Sequence, residues 1–146
     1  MRFTDLFTEL VRAEIELWND LDTHLAATVG ISLAQYQALA AIKNGAGQAR
    51  VQDISTEMII TVGATSKIVD RLERDGFAGR SAHPHDRRSS IVLLSERGTS
   101  ALAAAEETIE SHLHTRLGGA LSRDRAESLL IDLRSLRARP RVEAIQ

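Results

Sequence analysis

The feature that most constrains the fold is a single change of hydrophobic pattern within the 146-residue chain. Over most of the chain, apolar residues recur at the three- and four-residue spacing of amphipathic helices. In contrast, residues 77–82 and 91–94 have the composition of short strands and flank the polar segment 83–90, which contains Pro84 and Asp86. This arrangement is typical of a β-hairpin. The sequence therefore predicts a mainly α-helical chain with one small hairpin, in which residues 83–90 form the loop.

Two short helices joined by a tight turn are predicted directly before the hairpin. The first covers residues 51–58, and the second runs from Val62 to about Asp75. Thr61 is placed to cap the second helix, and Gly76 is placed to end it in the left-handed conformation. Such a pair is the minimal helix-turn-helix. Together with the hairpin that follows, it predicts a winged helix-turn-helix.

Long amphipathic helices are predicted at both ends of the chain. One extends over residues 3–28. After the hairpin, Ser95 is placed to cap a long helix that ends at Gly118 and Gly119, and Ser122 begins a last helix that ends at residues 139–140.

The terminal helices have more apolar surface than the middle segment needs to close its own core. Self-association would bury it, and most soluble oligomers are symmetric dimers. The sequence therefore predicts a helical dimerisation region formed by residues 1–30 and 99–146, and a DNA-binding domain formed by residues 31–98. The alternative is that the terminal helices pack on the middle segment within one chain.

The helix over residues 62–75 has two different faces. The face predicted to pack inward is apolar and consists of Thr65, Ile68, Val69 and Leu72. The opposite face begins with small residues and continues with charged ones: Gly63, Ala64, Lys67, Asp70, Arg71 and Arg74. This order suits a helix that enters the major groove of DNA by its N-terminus, where Thr61 also lies. The alternative is a solvated face with ion pairs such as Asp70–Arg74.

The predicted hairpin loop contains the sequence Asp86-Arg87-Arg88. Arginine is favoured in narrow minor grooves, and Asp86 could hold one guanidinium so that the other points outward. All three residues are therefore predicted DNA contacts. The alternative is an Asx-turn with solvated arginines.

With these elements in place, the chain resembles MarR-family regulators. The resemblance lies in residues 31–39, in the helix segment 65–76, in the hairpin segments 76–80 and 86–88, and in residues 93–98. The terminal helices match only in pattern and length. The resemblance implies a homodimer whose N- and C-terminal helices form the interface. It also implies that the dimer binds a pseudo-palindromic operator in double-stranded DNA, usually to repress transcription. It also implies that Arg88 enters the minor groove and that Asp86 orients it.

Regulators of this kind often respond to small phenolic or lipophilic compounds. Trp18, His24 and Tyr36 are candidate contacts for such an effector, although residues of these types more often belong to a core or an interface. No metal or other cofactor is predicted, because His112 and His114 point to different faces of a helix and the chain has no cysteine.

Composition and motifs also bear on the other classes of function that the chain could have. No phosphate-binding glycine loop or nucleophile elbow occurs, so an enzyme is not expected. The net charge of −2 gives no support for DNA binding, which must depend on where the cations lie. A winged helix that binds a protein partner is the third alternative. No segment resembles a membrane span or signal peptide, so a cytoplasmic location is expected.

Overall fold

The structure, a computed structural model, describes residues 1–138 with the exception of the Arg87 side chain. Its six helices are α1 (Phe3–Thr28), α2 (Leu33–Asn44), α3 (Val51–Met58), α4 (Val62–Arg74), α5 (Glu96–Gly118) and α6 (Arg123–Ala138). Three strands accompany them: β1 (Gln48–Ala49), β2 (Ala78–His83) and β3 (Asp86–Leu94). The prediction of a mainly helical winged helix-turn-helix is confirmed.

Capping side chains explain where several helices begin. The Thr61 hydroxyl accepts a hydrogen bond from the Ala64 amide at 3.1 Å, which begins α4 where the sequence predicts. Likewise, the Ser95 hydroxyl accepts from the Gly98 amide at 2.9 Å at the start of α5. At the other end of α4, Gly76 has φ +78, the left-handed conformation predicted for it.

The three strands form one antiparallel sheet in the order β1-β3-β2. In the hairpin, Ala78 pairs with Leu94 and Arg80 with Val92. The predictions did not include β1, whose Gln48 pairs with Leu93. A two-residue strand is too short to show a period, so only its tertiary pairing reveals it.

The predicted hairpin loop was wrong in length. Strand β3 begins at Asp86, and His83 pairs with Asp86, so the connection is Pro84-His85 rather than residues 83–90. The polar residues of the segment do not alternate with apolar ones, which hid the strand. The register is also irregular here, because Ala82 pairs with Ser90 whereas His83 pairs with Asp86, and such a shift disrupts the ladder locally.

One compact unit comprises Met1–Ile109 and contains the helix-turn-helix and the sheet. Its core draws fully buried side chains from α1 to α5 and β3: Leu25, Leu39, Ile42, Ile54, Leu72, Val92 and Leu102. Burial of each such side chain contributes roughly 1.5–3 kcal/mol. This core holds α3 and α4 in fixed positions beneath the hairpin.

The second unit begins at Glu110 and includes the end of α5 and all of α6. No residue of α6 is buried. The predicted division at residues 30 and 99 stays a prediction, and the predicted end at residues 139–140 lies outside the described residues.

No single helix in the described part is long and apolar enough to span a membrane; α1 and α2 qualify only together, with an 85° bend between them. The expected location stays a prediction.

Candidate nucleic-acid interface

Helix α4 presents the two faces that the sequence predicts. Thr65, Val69 and Leu72 are buried, and Ile68 is half-buried. The hydroxyl of Thr65 donates to the Thr61 carbonyl at 2.9 Å, so its burial leaves no unsatisfied group. All six residues of the opposite face are exposed: Gly63, Ala64, Lys67, Asp70, Arg71 and Arg74.

The N-terminal end of α4 is open to an approaching molecule. A Cβ atom added at Gly63 would meet no protein atom within 4 Å, so internal packing does not require a glycine at this position. The small size of Gly63 and Ala64 instead leaves room for close approach from outside. The free amides of the first helical turn also give this end a partial positive charge.

Two cations of α4 are free and one is engaged. Lys67 and Arg71 make no side-chain hydrogen bond or ion pair with another described residue. In contrast, Arg74 binds the neighbouring Asp75 with Nε–Oδ1 and Nη2–Oδ2 distances of 2.9 and 3.2 Å. This hydrogen bond raises the pKa of Arg74 and lowers the pKa of Asp75. Lys67 and Arg71 are therefore the cations of α4 that are available to a ligand.

Arg80 of β2 connects the hairpin to α4. Its guanidinium lies 2.7 Å from the Asp70 carboxylate and 2.5 Å from that of Glu73. Burial alone would lower the pKa of Arg80, but the two carboxylates raise it overall. The alternative pairing Asp70–Arg74 was wrong, because Asp70 pairs with Arg80. Sequence reasoning missed this bridge, although two acids three residues apart on a helix, with an arginine in the following strand, could have suggested it.

The tip of the hairpin contains both an Asx-turn and an arginine side chain that is exposed. The Asp86 carboxylate accepts the Arg88 backbone amide at 2.9 Å, which is the geometry of an Asx-turn. The guanidinium of Arg88 is exposed and has no partner among the described residues. Asp86 thus positions the backbone of Arg88 and leaves its side chain free. The Arg87 side chain lies outside the described part of the structure.

A second contact links the hairpin to the start of α3. Nη2 of Arg50, at the start of α3, lies 2.8 Å from Nε2 of His83 in β2. Nδ1 of the same histidine accepts the His85 amide at 3.1 Å. Together with Arg80, this contact ties the hairpin to the helix-turn-helix, so that Arg88 is carried on a supported element.

The three candidate effector contacts are all half-buried. Trp18 lines a shallow pocket of α1 with Ile15 and Asn19. Tyr36 lies near the Lys43–Glu106 ion pair; burial raises its pKa, Glu106 raises it further and Lys43 lowers it. The role of Trp18, His24 and Tyr36 stays a prediction. Among the described residues, no group of three or more metal-ligating side chains is placed to hold an ion.

Comparisons with known proteins agree with this architecture. The model of the MarR family matches residues 29–89. The uncharacterized HTH-type transcriptional regulator YfiV of Bacillus subtilis is 31% identical over 94 residues, a match that covers 64% of this chain but only about half of that protein (53%).

Solved structures with the same fold share less sequence. The MarR-family regulator Sco3205 of Streptomyces coelicolor, solved in complex with DNA, has a TM-score of 0.83 at 21% identity, covering 92% of this chain and 84% of that one. The organohalide-sensing regulator RdhR-CbdbA1625, solved with 2,4-dichlorophenol, has a TM-score of 0.81 at 17% identity, covering 94% and 80%.

The helix-turn-helix, its exposed N-terminal face and the antiparallel hairpin define a winged helix-turn-helix protein. The family match falls on this part of the chain. Over residues 29–89 the chain matches the MarR family model, and its fold is that of solved MarR-family regulators. The comparisons agree with the expectation of a regulator rather than an enzyme.

Proposed function

We propose that this protein is a sequence-specific DNA-binding regulator that binds a pseudo-palindromic operator as a homodimer. The single observation that supports this most is the exposed face of α4, where small residues at the N-terminus are followed by Lys67 and Arg71, two cations with no partner among residues 1–138 as described. In the major groove, Gly63 and Ala64 would allow the backbone to approach base edges. Lys67 and Arg71 would then reach guanine O6 and N7 or a phosphate.

The hairpin would supply the second contact with DNA. Its Arg88 has no internal partner among the described residues, and its backbone is held by Asp86. A guanidinium in this position suits the negative potential of a narrow minor groove. Thr61, Asp70, Arg74 and Arg87 complete the proposed contact set; Asp70 and Arg74 would act mainly by orienting neighbouring groups, since each is already in an ion pair. The complex of Sco3205 with DNA supports this use of the fold.

The proposed homodimer is supported by apolar side chains that each terminal helix leaves exposed. On α1, Phe3 is 83% exposed and Phe7 68%. On α6, Ile131 is 63% exposed and Leu136 56%. Several large apolar side chains exposed on one helix are typical of an interaction surface, and a second copy of the chain is the partner that symmetry favours.

We also propose that the protein represses transcription and that a small aromatic or lipophilic effector releases it from DNA. RdhR-CbdbA1625, which shares the fold, is described as organohalide-sensing and was solved with a chlorophenol. In this chain, Trp18, His24 and Tyr36 offer half-buried rings with polar atoms that could bind such a compound. Competition by chlorinated phenols against operator binding would test the proposal.

The experiment that tests DNA recognition begins with selection of bound fragments from genomic DNA. The affinity for the strongest site is then measured at increasing salt. A specific complex should weaken by roughly 0.9 log units of affinity per log unit of salt for each phosphate that is neutralised. If no fragment is enriched, or if affinity does not depend on salt, the alternative of a winged helix that binds a protein partner is favoured instead.

A further inference from the structure

The turn between α3 and α4 holds a strained apolar residue. Ile59, which follows α3, has φ 58 and ψ 42 and is therefore left-handed. A β-branched side chain is disfavoured in this conformation, which glycine and asparagine adopt far more readily. The conformation is needed locally, because it lets the Ile60 amide donate to the Ser55 carbonyl at 3.2 Å and so close α3.

Burial of the Ile59 side chain does not offset this strain. The side chain of Ile59 is 68% exposed, and Val62, the first residue of α4, is 46% exposed. Ile60, between them, is 38% exposed. Three large apolar residues therefore surround the Thr61 cap in one exposed turn. Backbone strain that stability does not explain is found preferentially where a residue has a function.

The position of this turn indicates what it contacts. It is continuous in sequence with Gly63 and Ala64, the proposed point of closest approach to DNA, and the exposed cations Lys67 and Arg71 follow on the same helix. These neighbouring charges favour a polyanion over an apolar protein surface. The apolar group that the major groove offers is the 5-methyl of thymine.

We propose that Ile59 and Val62 contact thymine 5-methyl groups in the major groove, so that each operator half-site has thymines where it faces the start of α4. This inference rests on the proposed DNA-binding function and adds to it a base preference and two residues. In this proposal the side chain of Ile59 extends the apolar contact surface beyond Ala64.

The test removes one methyl group at a time from the DNA. Single thymines of the selected operator are replaced by deoxyuridine, which pairs identically but lacks the methyl, and affinity is measured at fixed salt. At the contacted positions the wild-type protein should lose roughly fourfold in affinity per methyl, as expected for one buried methyl group. The variants Ile59→Asn and Val62→Ala should bind the thymine and deoxyuridine operators equally at their own positions.

A matched variant separates this contact from general weakening. Lys67→Ala should lower affinity on both operators while leaving the thymine-to-deoxyuridine ratio as in the wild type. If the wild type binds the operator but no methyl matters, or if both variants keep the wild-type ratio, the inference is overturned while the DNA-binding function stands. If Ile59→Asn instead changes only the oligomeric state, the turn contacts a second copy and the inference is equally wrong. Absence of any operator binding would refute the proposed function itself.

Discussion

Arg88 and Arg80 lie in the same hairpin but are placed for different tasks. Arg88 is exposed and has no side-chain partner in the part of the chain that the structure describes, so Arg88→Ala should weaken operator binding by roughly 10- to 100-fold, the range for a lost charge-assisted hydrogen bond. Thermal stability and dimerisation should not change. Arg12→Ala, which removes the same charge from α1, serves as the control in a fluorescence binding assay. Equal affinities of Arg88→Ala and wild type on a verified operator would exclude the hairpin from the interface.

Arg80 is expected to act on stability. Its side chain is 27% exposed and bridges Asp70 and Glu73, so Arg80→Ala would leave two carboxylates without their partner. Since solvent screens this partly exposed bridge, the loss in free energy of unfolding should be about 1 kcal/mol. Urea denaturation measures it. Arg80→Lys keeps the charge but cannot span both carboxylates as a fork, and should recover only part of the loss.

Tyr36 gives a direct check on the interior near α2. It is the one tyrosine of the chain, so its phenolate absorbance can be titrated without interference from another. Burial, aided by Glu106, raises its pKa above the usual 10.0. Because the folded pKa lies above the unfolded one, the neutral phenol stabilises the fold at lower pH, and this contribution is lost as the pH rises through the folded pKa. A midpoint of about 10 in both native and urea-unfolded protein would contradict the burial of Tyr36.

At this scale the sequence predicted exposure better than partnership. The faces of α4 followed from helical period, which is a local property, and all six exposed residues were assigned correctly. The partner of Asp70 was not predicted, because Arg80 reaches it from another element, whereas the Asx-turn at Asp86 was the stated alternative. Such choices depend on tertiary distances that periodicity does not contain.

At the scale of elements, predictability followed the presence of local signals. Helix α3 and the start of α4 were predicted to the residue, because Thr61 and the apolar spacing mark them. The strand β1 was missed because its pairing with β3 depends on residues distant in sequence. The first half of β3 was missed because its polar side chains show no alternation and its register with β2 is irregular. The left-handed turn at Ile59 was also not predicted, because β-branched residues rarely adopt the left-handed conformation.

That turn allows a prediction about stability. Ile59→Asn should raise the free energy of unfolding by about 1 kcal/mol, since it relieves left-handed strain while giving up little buried area. Ile60→Asn is the matched control: Ile60 is not left-handed and is less exposed, so the same substitution there should lower stability. Chemical denaturation of the two variants measures both effects. A fall in stability for Ile59→Asn would show that the isoleucine side chain stabilises the fold, which contradicts the prediction that Ile59 is a source of strain.

At the scale of the whole molecule, recognition of two half-sites requires two copies of α4 at a fixed separation. For a dimer lying on one face of the duplex, this separation is about 34–36 Å, one helical turn of DNA. Neither copy alone would bind tightly, because its contacts comprise one short helix and one arginine. In the proposed homodimer, dimerisation and DNA binding would therefore be coupled in free energy, so that a change in the terminal helices should alter operator affinity without touching α4.

Leu133→Glu should test this coupling. Leu133 lies on α6 in an apolar stripe with Leu129 and Leu136, all at least 37% exposed in the single chain. A buried carboxylate at a self-association interface is strongly unfavourable, so sedimentation equilibrium at micromolar concentration should show dimer for the wild type and monomer for the variant. Operator affinity should fall steeply with it, whereas Ser128→Glu, which adds the same charge outside the stripe, should remain dimeric. A monomeric wild type, or a Leu133→Glu dimer with unchanged operator affinity, would show that α6 does not hold the two DNA-binding units together.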